Sequence, residues 1–431
     1  MAVQELDPAY ADISPAPDRI GPRRTSRLVT WLDRPVVPAA LTVAATLGFT
    51  LGRWQRWSKG HIASWILVGS RFDGSALAPG IPVRPGSGYD GQFFYRLAID
   101  PANLGSNAYG ITLDAPYRLM RIGYPALTWL ATAGHGAMVP FMLVAVNVAA
   151  TGALGWFGAA FARMGGHHAL WGLLLPAYFG LLTSVARDTA EPVACAFLLG
   201  GLLAIRTRPI RTRPIRIRHS VLPGILLAFG ALTRETVMVA VACVALVRVV
   251  KVARHRTRFG REDLAWLLPV ATFGLWELVV RAATGAFPLD ADSDRNAGAP
   301  FIAAYDAIWG NLHQISWTRF SAVDDWLLEL AMLIVVAGMA LACLRRSRVP
   351  AHERIALIGY LIEICVVTPS TWNSLNADMR SFVEVYMMAV VILLGVPRAR
   401  PAWSTGWQLR AAAAWAMPAL YLVGMHRLVW S

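Results

Sequence analysis

The run Gly88-Tyr89-Asp90-Gly91-Gln92-Phe93-Phe94-Tyr95-Arg96 sets one carboxylate just ahead of a segment, Phe93 to Ile99, with helical spacing. A carboxylate there can take a proton from an attacking hydroxyl, or it can cap the helix that follows. The two roles separate on truncation: a lost cap costs about 1 kcal/mol of stability, a lost general base orders of magnitude in rate. Asp73, Asp100 and Asp114 share the stretch and read as turn residues.

More charge recurs at the turns between apolar runs. Arg187, Asp188 and Glu191 fall in Ser184-Val185-Ala186-Arg187-Asp188-Thr189-Ala190-Glu191-Pro192, and Arg234 and Glu235 in Leu232-Thr233-Arg234-Glu235-Thr236. Glu277 and Arg281, Glu363, and Glu384 stand near the ends of later runs, with Asp378 and Arg380 between the last two. Ionisable residues in such places are costly and tend to mark function. Any single pair is explained equally well as an ion pair tying two helix ends together; recurrence at turn after turn points to a shared site. The cations are almost all Arg, whose planar fork fits phosphate oxygens, and the only lysines are Lys59 and Lys251.

The elements that position these residues are membrane helices. Of 431 residues, 56% are hydrophobic and 15% charged, and the mean hydropathy is +0.47, too apolar for an ordinary soluble domain. The net charge of +14 lies in short Arg clusters between apolar runs, as in cytoplasmic loops near anionic lipid; nucleic acid is not an expected partner. Cys195, Cys243, Cys343 and Cys365 lie singly in apolar runs and read as packing residues. The fold class is an all-α polytopic membrane protein with about 11 transmembrane helices, at 36–52, 138–162, 168–186, 189–205, 220–233, 236–250, 264–281, 326–344, 354–369, 381–396 and 411–429.

Residues 122–133 are too short to cross and read as a half-helix on the outer face, as does Ile62 to Val68. This arrangement keeps the Arg206 to Arg218 cluster inside, in accord with the positive-inside rule, with the N-terminus cytoplasmic and the C-terminus extracytoplasmic. Residues 1–35 form a cytoplasmic, largely disordered tail and 36–431 one transmembrane domain. Within it lie a large first extracytoplasmic loop (53–124), a basic cytoplasmic loop (206–219) and a second large extracytoplasmic loop (282–325). The tandem Arg206-Thr207-Arg208-Pro209-Ile210 and Arg211-Thr212-Arg213-Pro214-Ile215 reads as a lipid-facing linker.

An Asp in the first outer loop, a surface half-helix (Tyr124-Pro125-Ala126-Leu127-Thr128-Trp129-Leu130) and outward turns carrying Arg-Asp and Arg-Glu resemble the GT-C superfamily of polyprenyl-phosphate-sugar-dependent glycosyltransferases. The Tyr-Asp-Gly-Gln-Phe-Phe-Tyr run is similar to the Trp-Asp-Gly-x-Trp-Tyr element of its GPI mannosyltransferase II (PIG-V-like) branch, with Tyr89 at the first position. The resemblance implies an inverting transfer outside a bacterial-type plasma membrane, from a polyprenyl-phosphate-linked sugar to a glycan, lipid or protein acceptor. Asp90 would be the catalytic base. Arg187 and Arg234 would be the first choices for the leaving phosphate and Arg118, Arg121 and Arg380 the next, with Asp188, Glu191 and Glu235 beside them. Tyr89, Gln92, Tyr95 and Arg96 would orient sugar or acceptor. Some members of the superfamily use a divalent metal and others none; no ligand set stands out here, so no metal and no cofactor is assigned. The other classes weighed are a transporter or flippase of a lipid-linked or envelope precursor, which calls for charges near the midplane on broken helices, and a non-catalytic subunit that keeps the fold.

Overall fold

The structure, a computed structural model, describes residues 27–74, 77–207, 217–289, 298–313, 322–367, 369–372 and 380–397. The expected span 411–429, the C-terminus, residues 1–26 of the tail and most of the tandem repeat lie outside these. The described helices are α1 (Arg27–Leu32), α2 (Val36–Arg56), α3 (Gly91–Ile99), α4 (Gly123–Ala131), α5 (Val139–Met164), α6 (Phe179–Ala186), α7 (Glu191–Arg206) and α8 (Ile217–Thr233). After them come α9 (Val237–Ala253), α10 (Leu264–Thr284), α11 (Ile302–Leu312), α12 (Ala322–Cys343), α13 (Ala351–Val366), α14 (Pro369–Trp372) and α15 (Val383–Leu394).

Among the described residues, four helical segments are long and apolar enough to cross a membrane by themselves: Val36–Arg56, Gly136–Met164, Arg261–Thr284 and Trp326–Cys343. The expected span 168–186 is not one helix. It divides into a 3-10 turn at Ala169–Leu174 and α6, because Pro176 offers no N–H to a continuous helix. The half-helix expected at 122–133 is α4. The first long loop also holds short strands absent from the sequence reading: β1 (Val68–Gly69) pairs in parallel with β2 (Val83–Arg84), and β3 (Asn107–Ala108) antiparallel with β4 (Ile111–Thr112).

At the centre stands α15, buried along its whole length and apolar all round except for Glu384. A helix without a polar face is stable only when other helices enclose it. Here α12 and α13 lie along it, and α7 packs between α5 and α8. One end of the bundle is tied by pairs such as Arg206–Glu353 and Arg248–Asp263 (3.0 Å). The opposite end collects the tip of α2, the turns α6–α7 and α8–α9, the start of α15 and the first loop.

Close backbone approach fixes where the 3-10 turn meets α5. A Cβ at Gly158 would stand 2.2 Å from the Gly172 oxygen, whereas one at Gly274 on α10 meets nothing within 4 Å. Gly158→Ala should therefore lower stability by about 1–3 kcal/mol through overpacking, and Gly274→Ala should leave it equal or higher. Thermal unfolding of the detergent-purified protein checks this; equal midpoints for the two variants would contradict the packing.

Candidate functional site

Asp90 is positioned by the loop before it. Gly88 takes φ +61°, and a Cβ there would stand 2.2 Å from the Leu67 oxygen, so only glycine lets the chain pass. The Tyr89 N–H donates to that oxygen at 2.8 Å. Gln92, wholly buried, accepts from the Gly69 N–H at 3.0 Å and donates to the Ser87 carbonyl at 2.9 Å, holding both sides of the loop. Gly91 admits the Arg187 carbonyl, which would stand 2.3 Å from a Cβ. The first loop and the α6–α7 turn are thereby pressed together beside Asp90.

Asp90 stands at the N-cap of α3, but its side chain makes no capping hydrogen bond. It bridges two guanidinium groups instead. Oδ1 accepts from Arg118 Nη1 at 3.0 Å and Oδ2 from Arg380 Nη2 at 2.5 Å. Arg118 is also held by Asp114 through two bonds of 3.0 and 3.2 Å, and Arg380 by Glu191 at 2.7 Å. Beside them Arg121 grips Glu235, at 2.8 Å through Nε and 2.5 Å through Nη2, and bonds the Tyr117 hydroxyl. Asp90, Phe93, Phe94, Tyr117, Arg118 and Arg121 line a small, open cleft.

Behind the cleft lies a buried layer of charge. Arg234 pairs with Glu384 at 3.2 Å, approaches Glu191 at 3.9 Å and donates to the Ser381 carbonyl at 3.1 Å. Glu384 accepts from the Thr236 hydroxyl at 2.6 Å, and Glu191 from Ser184 at 2.9 Å and Thr189 at 2.6 Å. These bonds join α7, the α8–α9 turn and α15.

The expected site residues thus divide by place. Asp90, Arg118 and Arg121 face the cleft; Arg380 reaches it through Asp90, and Glu235 through Arg121. Arg234 and Glu191 belong to the buried layer. Arg187 lies with its Cζ 4.6 Å from the Tyr89 ring centroid, and Arg380 is 4.9 Å from the same ring. Asp188 is fully buried near Arg53. Gln92, Tyr95 and Arg96 do not line the cleft: Gln92 braces the loop, Tyr95 packs in the core, and Arg96 bonds the Gly105 carbonyl. Phe93, Phe94 and Tyr117 go unmarked in the sequence as site residues, and Asp114 reads there as a turn residue. The signals were adjacency to Asp90 for the two phenylalanines and spacing of four from Arg121 or Arg118 for Tyr117 and Asp114. Glu384 was noted only as charge near a helix end. Among the described residues no group of His, Cys, Asp and Glu gathers that could hold a metal ion.

Burial works against ionising Asp90, but Arg380, Arg118 and Arg121 outweigh it and hold the carboxyl well below the usual carboxylate range. Glu235, in the α8–α9 turn, is likewise opposed by burial, and Arg121 draws it down to about 2. A depressed pKa gives stability that is complete above the unfolded value of about 4.3 and fades as pH falls toward the folded one. Glu235→Gln should lower stability near neutral pH and flatten its fall between about pH 5 and pH 2. Thermal unfolding across that range measures it; an acid slope equal to that of the unaltered protein would contradict the Arg121–Glu235 pair. No protein-family model and no curated protein matches this chain.

Proposed function

We propose that the protein is a membrane-embedded inverting glycosyltransferase of GT-C type, moving a sugar from a polyprenyl-phosphate donor to an envelope acceptor on the extracytoplasmic face. The observation that carries the reading is the Asp90 carboxylate held between Arg118 and Arg380 at an open cleft. A general base and cations for a phosphate leaving group are the two requirements of such a transfer, and they are adjacent here.

The arginines keep Asp90 ionised, and so able to accept a proton, but they also weaken it as a base. A donor phosphate that draws Arg118 or Arg380 toward itself strengthens Asp90 as the substrate arrives. The acceptor hydroxyl oxygen then attacks the anomeric carbon, its proton passes to Asp90, and the bond from that carbon to the phosphate oxygen breaks. The lipid phosphate leaves with the electron pair, stabilised by the arginines. Configuration inverts because attack and departure occupy opposite faces of the carbon.

The reading includes about eleven spans, with an inner N-terminus and an outer C-terminus. It is supported by the distribution of charge: Arg163, Arg206, Arg248, Lys251, Arg254, Arg345 and Arg346 belong to the end of the bundle away from Asp90. A transporter would carry its charges near the midplane of broken helices, whereas here they gather at helix ends.

Asp90→Asn should leave the protein folded and inserted and reduce sugar transfer from a polyprenyl-phosphate donor by a factor of about 10²–10⁴, while Asp73→Ala has little effect. Transfer assays in proteoliposomes decide it, and full activity in Asp90→Asn would exclude the base assignment.

A further inference from the structure

The turn between α9 and α10, at the end of the bundle away from Asp90, holds more positive charge than its own contacts use. Residues 248–263 carry six cations, Arg248, Lys251, Arg254, Arg256, Arg258 and Arg261, against two carboxylates, Glu262 and Asp263, a net charge of +4 with His255 neutral. Both carboxylates are held by one residue. Arg248 donates to Asp263 at 3.0 Å through Nε and 3.1 Å through Nη2, and pairs with Glu262 at 2.9 Å. Asp263 also accepts from the Gly260 N–H at 2.7 Å and the Trp266 indole N–H at 3.1 Å, so its capacity is spent inside the turn. Arg248 Nη2 further donates to the Arg258 carbonyl at 3.4 Å, which ties the turn back to α9.

Among the described residues none of the other five cations makes an ion pair, and all five are exposed. The backbone keeps them close. His255 takes φ +54°, its N–H donates to the Val252 carbonyl at 2.9 Å, and the Arg256 N–H donates to the Lys251 carbonyl at 3.0 Å, the bond pattern of a helix end that reverses sharply. Like charges gathered in one short turn repel one another, and a surface of opposite sign removes that repulsion. Apolar surface runs up to the turn from both sides: Leu246, Val249 and Val250 near the end of α9 and Leu267 and Val270 near the start of α10 are exposed. Phe259, 62% exposed, brings an apolar ring into the turn itself.

We infer that the α9–α10 turn is a docking surface for anionic lipid, with Lys251, Arg254, Arg256, Arg258 and Arg261 taking the phosphate headgroups of the bilayer. Place argues for this partner. The segment Arg261–Thr284 is long and apolar enough to cross a membrane, so the turn that precedes it lies at the headgroup level. A soluble polyanion would meet the cations and leave Phe259 and the apolar faces of both helices in water, whereas a bilayer receives the cations at its headgroups and the apolar side chains at its acyl chains. The inference stands on charge, exposure and position, goes beyond the proposed transfer and does not require it to occur.

The test uses the full-length protein in detergent and counts bound lipids by native mass spectrometry during titration with phosphatidylglycerol or, separately, phosphatidylcholine. Arg254→Gln/Arg256→Gln/Arg258→Gln, at three exposed positions outside the Arg248 clasp, should bind phosphatidylglycerol about tenfold to a hundredfold more weakly than the unaltered protein, with phosphatidylcholine binding unchanged. Arg254→Lys/Arg256→Lys/Arg258→Lys keeps the charge and should bind phosphatidylglycerol as the unaltered protein does; its retention, with the unchanged phosphatidylcholine binding, guards against misfolding as the cause of the loss. Equal phosphatidylglycerol affinity in the unaltered protein and the glutamine variant would overturn the docking surface. An equal loss in the lysine and glutamine variants would overturn its electrostatic basis. Inorganic phosphate at millimolar concentration and a single-stranded oligonucleotide should each leave the lipid in place, and displacement of the lipid by either would overturn the bilayer as the partner.

Discussion

A carboxylate and a guanidinium near a membrane must find each other, because neither is tolerated alone away from water. Asp90 meets this constraint with two partners from distant parts of the chain, Arg118 from the first loop and Arg380 just before α15. The loop, which has little regular structure of its own, is thereby anchored to the most buried helix of the bundle. The remaining arrangement at that end extends the same rule. Arg380 also holds Glu191 at the start of α7, and Arg234 joins Glu191 to Glu384 on α15. Four elements meet because their charges are shared rather than paired off singly.

The sharing has a chemical consequence. An ion pair with one partner on each side is inert until one of them moves. Asp90, Arg118 and Arg380 are about a tenth to a quarter exposed in their side chains, whereas Arg234 and Glu384 lie almost wholly inside. The first group can exchange partners with an arriving anion at modest cost. Breaking the second leaves a charge buried without compensation, typically worth about 3–5 kcal/mol. The outer layer is therefore suited to chemistry and the inner layer to holding the helix ends in place. The Tyr89 ring lies within 5 Å of both Arg380 and Arg187.

Much of this was legible in the sequence, for reasons that can be traced. Apolar runs marked the helical, membrane character of the chain, and among the described residues four of the expected spans are helices long and apolar enough to cross, while the short run before Gly134 is the helix α4. Asp90 could be singled out by its place ahead of α3 and its irregular, glycine-rich approach. Its partners could not be ranked. Arg187 and Arg234 looked nearer to the chemistry than Arg118 and Arg380, but which guanidinium reaches a carboxylate depends on how helix ends pack, and no local pattern records that. The same limit hid Gln92: a polar residue two places from a catalytic candidate looks functional, and only the strands of the first loop show that it satisfies buried backbone groups. The break in 168–186 could have been read from Pro176, had proline been weighed above mean hydropathy.

The most direct measurement of the central claim is a double-mutant cycle on Asp90 and Arg380, comparing the unfolding stability of Asp90→Asn, Arg380→Gln and the two together in detergent. Residues in direct contact depart from additivity by about 0.5–3 kcal/mol, whereas those more than about 10 Å apart add within about 0.5 kcal/mol. The clamp requires a coupling of about 1 kcal/mol or more, with the double variant less destabilised than the sum of the singles. Strict additivity would mean that the first loop and the start of α15 do not meet through this pair, and the site as described would not exist.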